Sequence, residues 1–144
     1  MKKFLKTMIV AILVLSMTLS MAGCISSDWT KVEENLDNEG YAVDHYTSES
    51  MIIATIAGWT ALGGNFDDID VEKVKCLLFA KRDSKVIYIA FCDDLETANR
   101  FEEDFDDWLD VLDDNRILDD DAYETEQNFK VAYLGHKDAI RAAR

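Results

Sequence analysis

Residues 74–92 read VKCLLFAKRDSKVIYIAFC, and this stretch decides the fold. Two runs rich in β-branched and aromatic residues, 74–81 and 85–92, flank the short polar segment Arg82-Asp83-Ser84. Such runs around a turn predict a β-hairpin. Because the turn lacks Asn-Gly, a two-residue turn and a longer odd-length loop both remain open, and the two give different strand registers.

The segment after the hairpin has the clearest helical pattern in the chain. Apolar residues recur at steps of three and four, and acidic residues fill most positions between them. These apolar positions are Leu95, Ala98, Phe101, Phe105, Trp108, Leu109 and Leu112. We expect the aromatic residues of this helix to be buried against the hairpin, with contacts to Leu77, Phe79, Ile87, Ile89 and Phe91.

The remaining elements follow from shorter patterns of the same kind. Strands are predicted at 41–46 and 128–134, further helices at 28–36, 49–62 and 136–143, and an acidic loop or broken helix at 113–127. The chain therefore reads α, then β-α-β-β-α-β, then α. The central six elements match the ferredoxin-like split arrangement, an α+β fold whose four-stranded antiparallel sheet carries two helices on one face. The two outer helices are additions at its N- and C-terminal sides.

The first 24 residues have the layout of a secretory signal. They read MKKFLKTMIVAILVLSMTLSMAGC, with a basic start, an apolar run, small residues and then a cysteine. The alternative is a transmembrane helix, but residues 8–23 number only sixteen and include serines, whereas a span needs roughly 20 apolar residues. The ending Met21-Ala22-Gly23-Cys24 resembles the lipobox of bacterial lipoproteins, although that motif usually has Leu where this chain has Met21.

The resemblance implies a domain plan and a location. In lipoproteins the cysteine thiol is joined to diacylglycerol, the signal is cleaved before that cysteine, and the new amino terminus is often acylated. We therefore expect a signal peptide at 1–23, a lipidated tether at 24–27 and a single extracytoplasmic domain at 28–144. Cys24 would anchor this domain to the bacterial cell membrane or outer membrane. Ile25 stands where the family's sorting pattern has Asp for retention, which favours transfer to an outer membrane where one exists.

The predicted mature chain is strongly acidic. Cleavage after residue 23 leaves 12 Lys and Arg against 29 Asp and Glu, a net charge of −17. Such a chain repels nucleic acid and anionic lipid headgroups, so we expect no nucleic-acid partner and a domain that stands off the membrane. Abundant apolar and aromatic residues between the charges argue against disorder.

The acidic residues are densest at 93–126, which holds sixteen acidic and two basic side chains. This tract suggests a cation site, and calcium, which takes 6–8 oxygen ligands, is the only cofactor the sequence raises. The candidate ligands fall at positions 1, 3, 7, 9 and 12 of an EF-hand-like window and are Asp113, Asn115, Asp119, Asp121 and Glu124. Ile117 and Leu118 occupy places where that loop needs a ligand and a glycine, so a solvated acidic surface is the favoured interpretation.

Cys76 and Cys92 lie near the outer ends of the two hairpin strands. An odd-length loop would place them opposite each other, where a disulfide is feasible outside the cytoplasm. A two-residue turn would offset them by one position and direct their side chains to opposite faces. The sequence leaves both a bridge and a pair of buried thiols open.

The predicted helix at 49–62 has almost no polar face. A helix that is apolar all round is either buried or in contact with another molecule. Burial between the sheet and the first or last helix is favoured. The other interpretation is a surface for a protein partner, a second copy of the chain or lipid, formed by Met51, Ile52, Ile56 and Trp59.

No set of residues points to catalysis. His45 and His136 are the only histidines, and neither lies near a recognisable nucleophile motif. We therefore expect a non-enzymatic lipoprotein domain that binds or contacts other molecules, with no catalytic residues. The alternative function is calcium binding or sensing through the 93–126 tract.

Overall fold

The computed structural model describes residues 24–144, so the signal-like segment and Met21-Ala22-Gly23 lie outside the described residues. The described chain is a mixed α+β fold. Its helices are α1 (Trp29–Asn38), α2 (Glu49–Ala61), α3 (Leu95–Asp114) and α4 (Lys137–Ala143). Its strands are β1 (Ala42–Tyr46), β2 (Val74–Arg82), β3 (Lys85–Cys92), β4 (Tyr123–Asn128) and β5 (Val131–His136). Among these helices, none is both long enough and apolar enough to cross a membrane.

The five strands form one antiparallel sheet in the order β1-β2-β3-β5-β4. The ferredoxin-like split arrangement is not confirmed, because the sheet has a fifth strand and β1 lies at its edge, antiparallel to β2. The prediction of a loop or broken helix at 113–127 is wrong in part, since β4 begins at Tyr123. Glu124 to Gln127 are polar, so their place at a sheet edge depends on pairing with β5 and not on intrinsic β-propensity.

The central hairpin has the two-residue turn. Arg82 pairs with Lys85, and Asp83 has a positive φ of 55° at the first turn position. A β-bulge between Val74 and Cys76 shifts the register at the far end of the hairpin. The β4–β5 hairpin also has a two-residue turn, because Asn128 pairs with Val131.

Both faces of the sheet are buried, which gives three layers and two hydrophobic clusters. Helices α2 and α3 cover one face in the α2–α3 layer, whose buried aromatic side chains include Trp59, Phe66, Phe101, Phe105 and Trp108. Helices α1 and α4 cover the other face in the α1–α4 layer, which includes Ile25, Val32, Leu36, Ile87, Ile89, Phe91 and Ile140. Burial on both faces explains why β2 and β3 read as nearly continuous apolar runs.

The predicted burial of Phe101, Phe105 and Trp108 is confirmed, but most of their predicted contacts are wrong. Leu77 does belong to the α2–α3 layer, whereas the three β3 residues of the prediction lie in the α1–α4 layer. The physical reason is the register: Leu77 pairs with Ala90, and neighbouring residues along a strand face opposite sides.

The folded domain begins earlier than the expected boundary at residue 28. Ile25 is only 2% exposed and packs in the α1–α4 layer. The side-chain amide of Asn128 donates a hydrogen bond to the carbonyl oxygen of Ile25 over 3.3 Å. Ile25, the second residue of the expected tether at 24–27, is therefore part of the packed domain. Burying its apolar side chain is more favourable in free energy than leaving it in water.

Candidate functional site

Cys24 lies directly beside the folded domain. Its side chain is exposed, while the next residue, Ile25, is buried. Because consecutive Cα atoms are about 3.8 Å apart, the Cα atom of Cys24 lies within a few ångströms of a residue of the packed core. The hydrogen bond from Asn128 to Ile25 joins the β4–β5 turn to the residue that follows Cys24.

Several elements converge at this Cys24 end of the sheet. The backbone N–H of Cys92 donates to the carbonyl oxygen of Lys130 over 2.9 Å. The backbone N–H of Asp93 donates to the carbonyl oxygen of Lys73 over 2.7 Å. These bonds bring together the start of β2, the end of β3 and the β4–β5 turn. Helix α3 also begins here, where Asp94 caps it by accepting from the N–H of Thr97. Hydrogen bonding from the Thr97 side chain, together with this backbone bond, lowers the pKa of the Asp94 carboxyl group.

The expected partner surface on α2 is divided by the fold. Ile52, Ile56 and Trp59 are buried in the α2–α3 layer, and Met51 alone of the four is exposed. Met51 is 49% exposed. Ile53 and Leu62, which the predicted partner surface did not include, are 48% and 56% exposed.

The exposed side of α2 carries no charge over twelve residues. This α2 outer face is formed by Met51, Ile53, Ala54, Ala57, Gly58, Ala61 and Leu62. Glu49 precedes it, and no acidic or basic residue occurs between Met51 and Leu62. An uncharged, apolar stretch is unusual on a chain with 31% charged residues.

The acidic tract brings three carboxylates together after the end of α3. One carboxylate oxygen each from Asp113, Asp119 and Asp120 lies within 4.8 Å of the others. The backbone N–H of Asp120 donates to Oδ1 of Asp113 over 3.3 Å. Repulsion from Asp113, the main cause, raises the pKa of the Asp120 carboxyl group.

The other three predicted calcium ligands lie outside this group of carboxylates. The Asn115 side chain donates to the carbonyl oxygen of Val111, and Oε1 of Glu124 lies 4.0 Å from Nζ of Lys137. Asp121 donates its backbone N–H to Oδ1 of Asp119. Only two of the five predicted ligands converge, and with Asp120 they supply three carboxylates, fewer groups than calcium usually takes.

Cys76 and Cys92 are free thiols on opposite faces of the sheet. Cys76 belongs to the α1–α4 layer and Cys92 to the α2–α3 layer. Burial in apolar surroundings raises the pKa of each thiol to about 12. The two-residue turn thus favours buried thiols over a bridge, since the side chains point apart.

Both histidines have local structural partners. Nδ1 of His45 lies 3.1 Å from Oε1 of Glu33, and its ring packs on Trp29 with centroids 4.6 Å apart. His136 precedes α4, where its Nδ1 accepts a hydrogen bond from the N–H of Asp138 over 3.0 Å. These contacts join one sheet edge to α1 and cap α4.

A cleft of about 350 Å³ lies between the start of α3 and the segment before β2. Its walls are mainly charged or polar, and they include Asp68, Asp70, Lys73, Glu96 and Arg100. Small-molecule sites are mostly apolar with a few polar groups, so this cleft does not have that character.

Comparison with protein-family models, curated proteins and solved structures found no match to this chain. A functional conclusion therefore depends on the sequence around Cys24 and on the surfaces that the fold exposes.

Proposed function

We propose that this protein is a lipid-anchored extracytoplasmic domain of the bacterial envelope that acts as a non-enzymatic protein-binding module. Cys24 carries the anchor at the cell membrane or outer membrane, and the α2 outer face contacts a protein partner. The observation that supports this proposal best is the abrupt change at residue 24, where an exposed cysteine ends a lipobox-like sequence and the buried core begins at the next residue.

The interaction part of the proposal is supported by the α2 outer face. Its large side chains Met51, Ile53 and Leu62 are about half exposed, although the same helix already buries an inner face. Removing apolar surface from water contributes about 25 cal/mol per Å² of buried area, whatever the net charge of the molecule. An uncharged patch therefore lets a mature chain of net charge −17 bind a partner without bringing acidic groups into the interface.

The anchor is tested by replacing the attachment point. In cells fed a labelled fatty acid, Cys24→Ala should abolish incorporation, whereas Cys76→Ala should retain it because Cys76 is buried in the sheet. Mass spectrometry of the membrane-extracted protein should find acyl groups at a new amino terminus on Cys24. Label in the Cys24→Ala protein would show that the acceptor is elsewhere.

The binding surface is tested by site-specific photocrosslinking in intact cells. A photoreactive residue at Ile53 should give a discrete adduct, and one at the exposed Asp110 of α3 should not. Ile53→Glu should remove the interaction by placing a charge in an apolar interface. An adduct of twice the chain mass would identify the partner as a second copy. Equal crosslinking at both positions, or none at Ile53, would overturn the assignment of this face.

A further inference from the structure

The β4–β5 turn holds an unusual residue for its backbone. Phe129 is the first residue of this two-residue turn and has a φ of 58°. Turns of this type place glycine where φ is positive, because a Cβ atom is strained there. A bulky aromatic residue in this region is an outlier. Phe129 is also 73% exposed, the largest exposed fraction among the large apolar side chains of residues 24–144.

The β2–β3 turn has the same geometry but carries a residue type that is common at this position. Asp83 occupies the equivalent first position with a φ of 55°. Aspartate tolerates this conformation well, and its polar side chain belongs in water. Phe129 thus costs backbone strain and leaves an aromatic ring in solvent. Residues with such strain cluster at functional sites, where another contact compensates for it.

The surroundings of Phe129 indicate which contact compensates for its backbone strain. The neighbouring Asn128 is hydrogen-bonded to the carbonyl oxygen of Ile25, one residue from Cys24. The Gln127 side chain donates to the carbonyl oxygen of Phe129 over 2.7 Å and holds the turn in place. Nζ of Lys130 lies 5.9 Å from the centre of the Phe129 ring. An exposed ring and a cation therefore lie on the same turn, and that turn contacts the residue that follows Cys24.

We propose that Phe129 inserts into the lipid surface that holds the acyl chains of Cys24, with Lys130 directed to the phosphate headgroups. This inference rests on the proposed lipid anchor. Aromatic and aliphatic side chains enter the boundary between headgroups and acyl chains, and lysine reaches back to the phosphates. Because the anchor already holds the turn at the surface, insertion is an intramolecular step at high effective concentration.

The insertion would orient the whole domain. Helix α3 begins at the Cys24 end and runs 20 residues, about 30 Å, towards the carboxylate cluster of Asp113, Asp119 and Asp120. With Phe129 in the lipid, this cluster points away from anionic headgroups. Electrostatic repulsion from the membrane surface favours that orientation over the reverse.

The test uses the lipidated chain in vesicles of phosphatidylethanolamine and phosphatidylglycerol. An environment-sensitive dye is attached to Phe129→Cys or, as the matched control, to Asp83→Cys in the other turn. Labelling is selective because Cys76 and Cys92 are buried and Cys24 carries the lipid. We expect nitroxide-bearing lipids to quench the dye at position 129 several-fold more than the dye at position 83.

A second pair of variants separates insertion from a structural role. A dye at Lys130→Cys should lose most of its quenching when Phe129→Asn is added. The same Phe129→Asn change should raise the melting temperature by about 3–5 °C, because asparagine tolerates positive φ. Unchanged quenching at position 130, or equal quenching at 129 and 83 in a protein with acylated Cys24, would overturn this inference alone. Absence of acyl mass on Cys24 would overturn the anchor and the inference together.

Discussion

The two faces of the sheet are covered in different ways. In the α2–α3 layer a long helix presents a continuous stripe of aromatic side chains, and the Trp59 ring lies within 5.8 Å of those of Phe66, Tyr88, Phe105 and Trp108. In the α1–α4 layer two short helices from the beginning and end of the described chain meet, and the Asn35 side chain donates to the carbonyl oxygen of Ala143. One face thus depends on local periodicity and the other on contacts between distant segments.

The largest effect is expected in the α2–α3 layer. Phe105→Ala should lower the free energy of unfolding by about 3–5 kcal/mol, since Phe105 is fully buried among aromatic rings and leaves a cavity. Urea denaturation followed by tryptophan fluorescence measures this loss. Leu95→Ala, at a half-exposed position of the same helix, should cost much less. A loss below about 1 kcal/mol for Phe105→Ala would mean that this ring is not part of the core.

A smaller effect is expected in the α1–α4 layer. Ile140→Ala should lower the free energy of unfolding by about 2–3 kcal/mol, because Ile140 is buried but lies on a seven-residue helix near the chain end. Hydrogen exchange should show local loss of protection in α1 and α4. Arg141→Ala is the exposed control. If Ile140→Ala and Phe105→Ala lower the free energy of unfolding by the same amount, the two faces of the sheet contribute equally to stability. That result would contradict the expected difference between the two layers.

A third prediction concerns one acid on each side of the sheet. Burial, with nearby acidic groups, raises the pKa of the Asp104 carboxyl group on α3 to about 6, and within residues 24–144 its Oδ2 has no hydrogen-bond partner. Asp138 on α4 instead accepts a hydrogen bond from Lys85 over 2.7 Å, which lowers its pKa.

The two acids should therefore respond to substitution with opposite signs. A raised folded pKa means that folded Asp104 binds protons that the unfolded chain does not, so stability rises as pH falls from 7 through about 6 towards 4. Asp104→Asn should stabilise the protein by about 1 kcal/mol at pH 7, after discounting for partial exposure, and lose this advantage near pH 4. Asp138→Asn should be destabilising at pH 7. Thermal melts from pH 4 to 8 measure the stability change of each variant. A gain for Asp104→Asn that does not depend on pH would contradict the raised pKa of Asp104.

The smallest expected effect concerns the acidic cluster at the end of α3. Titrations of melting temperature with sodium and calcium, matched in ionic strength, should give equal curves, because screening acts on all exposed charges. A calcium shift that saturates at micromolar concentration and disappears in Asp113→Asn with Asp119→Asn would contradict this expectation and indicate a formed site.

The α2–α3 layer was predictable because its signal lies within one element. Phe101, Phe105 and Trp108 recur at helical spacing, and their burial needs only an apolar stripe to meet a sheet. The contacts across that stripe were not predictable, because a one-residue change of strand register exchanges the two faces. The same register decided that Cys76 and Cys92 point apart. Of the proposed partner surface, Met51 remained outside, while Ile53 and Leu62 became visible only once the buried side of α2 was known.

The sequence by itself determined the lipobox-like motif, the acidic charge, the central hairpin and the long amphipathic helix, because each depends on residues close together in the chain. The tertiary structure alone decided the fifth strand, the burial of Ile25 and the contact of the β4–β5 turn with Ile25. The contact between Asn128 and Ile25 joins segments about a hundred residues apart. Their stability comes from pairing and burial that no local pattern records.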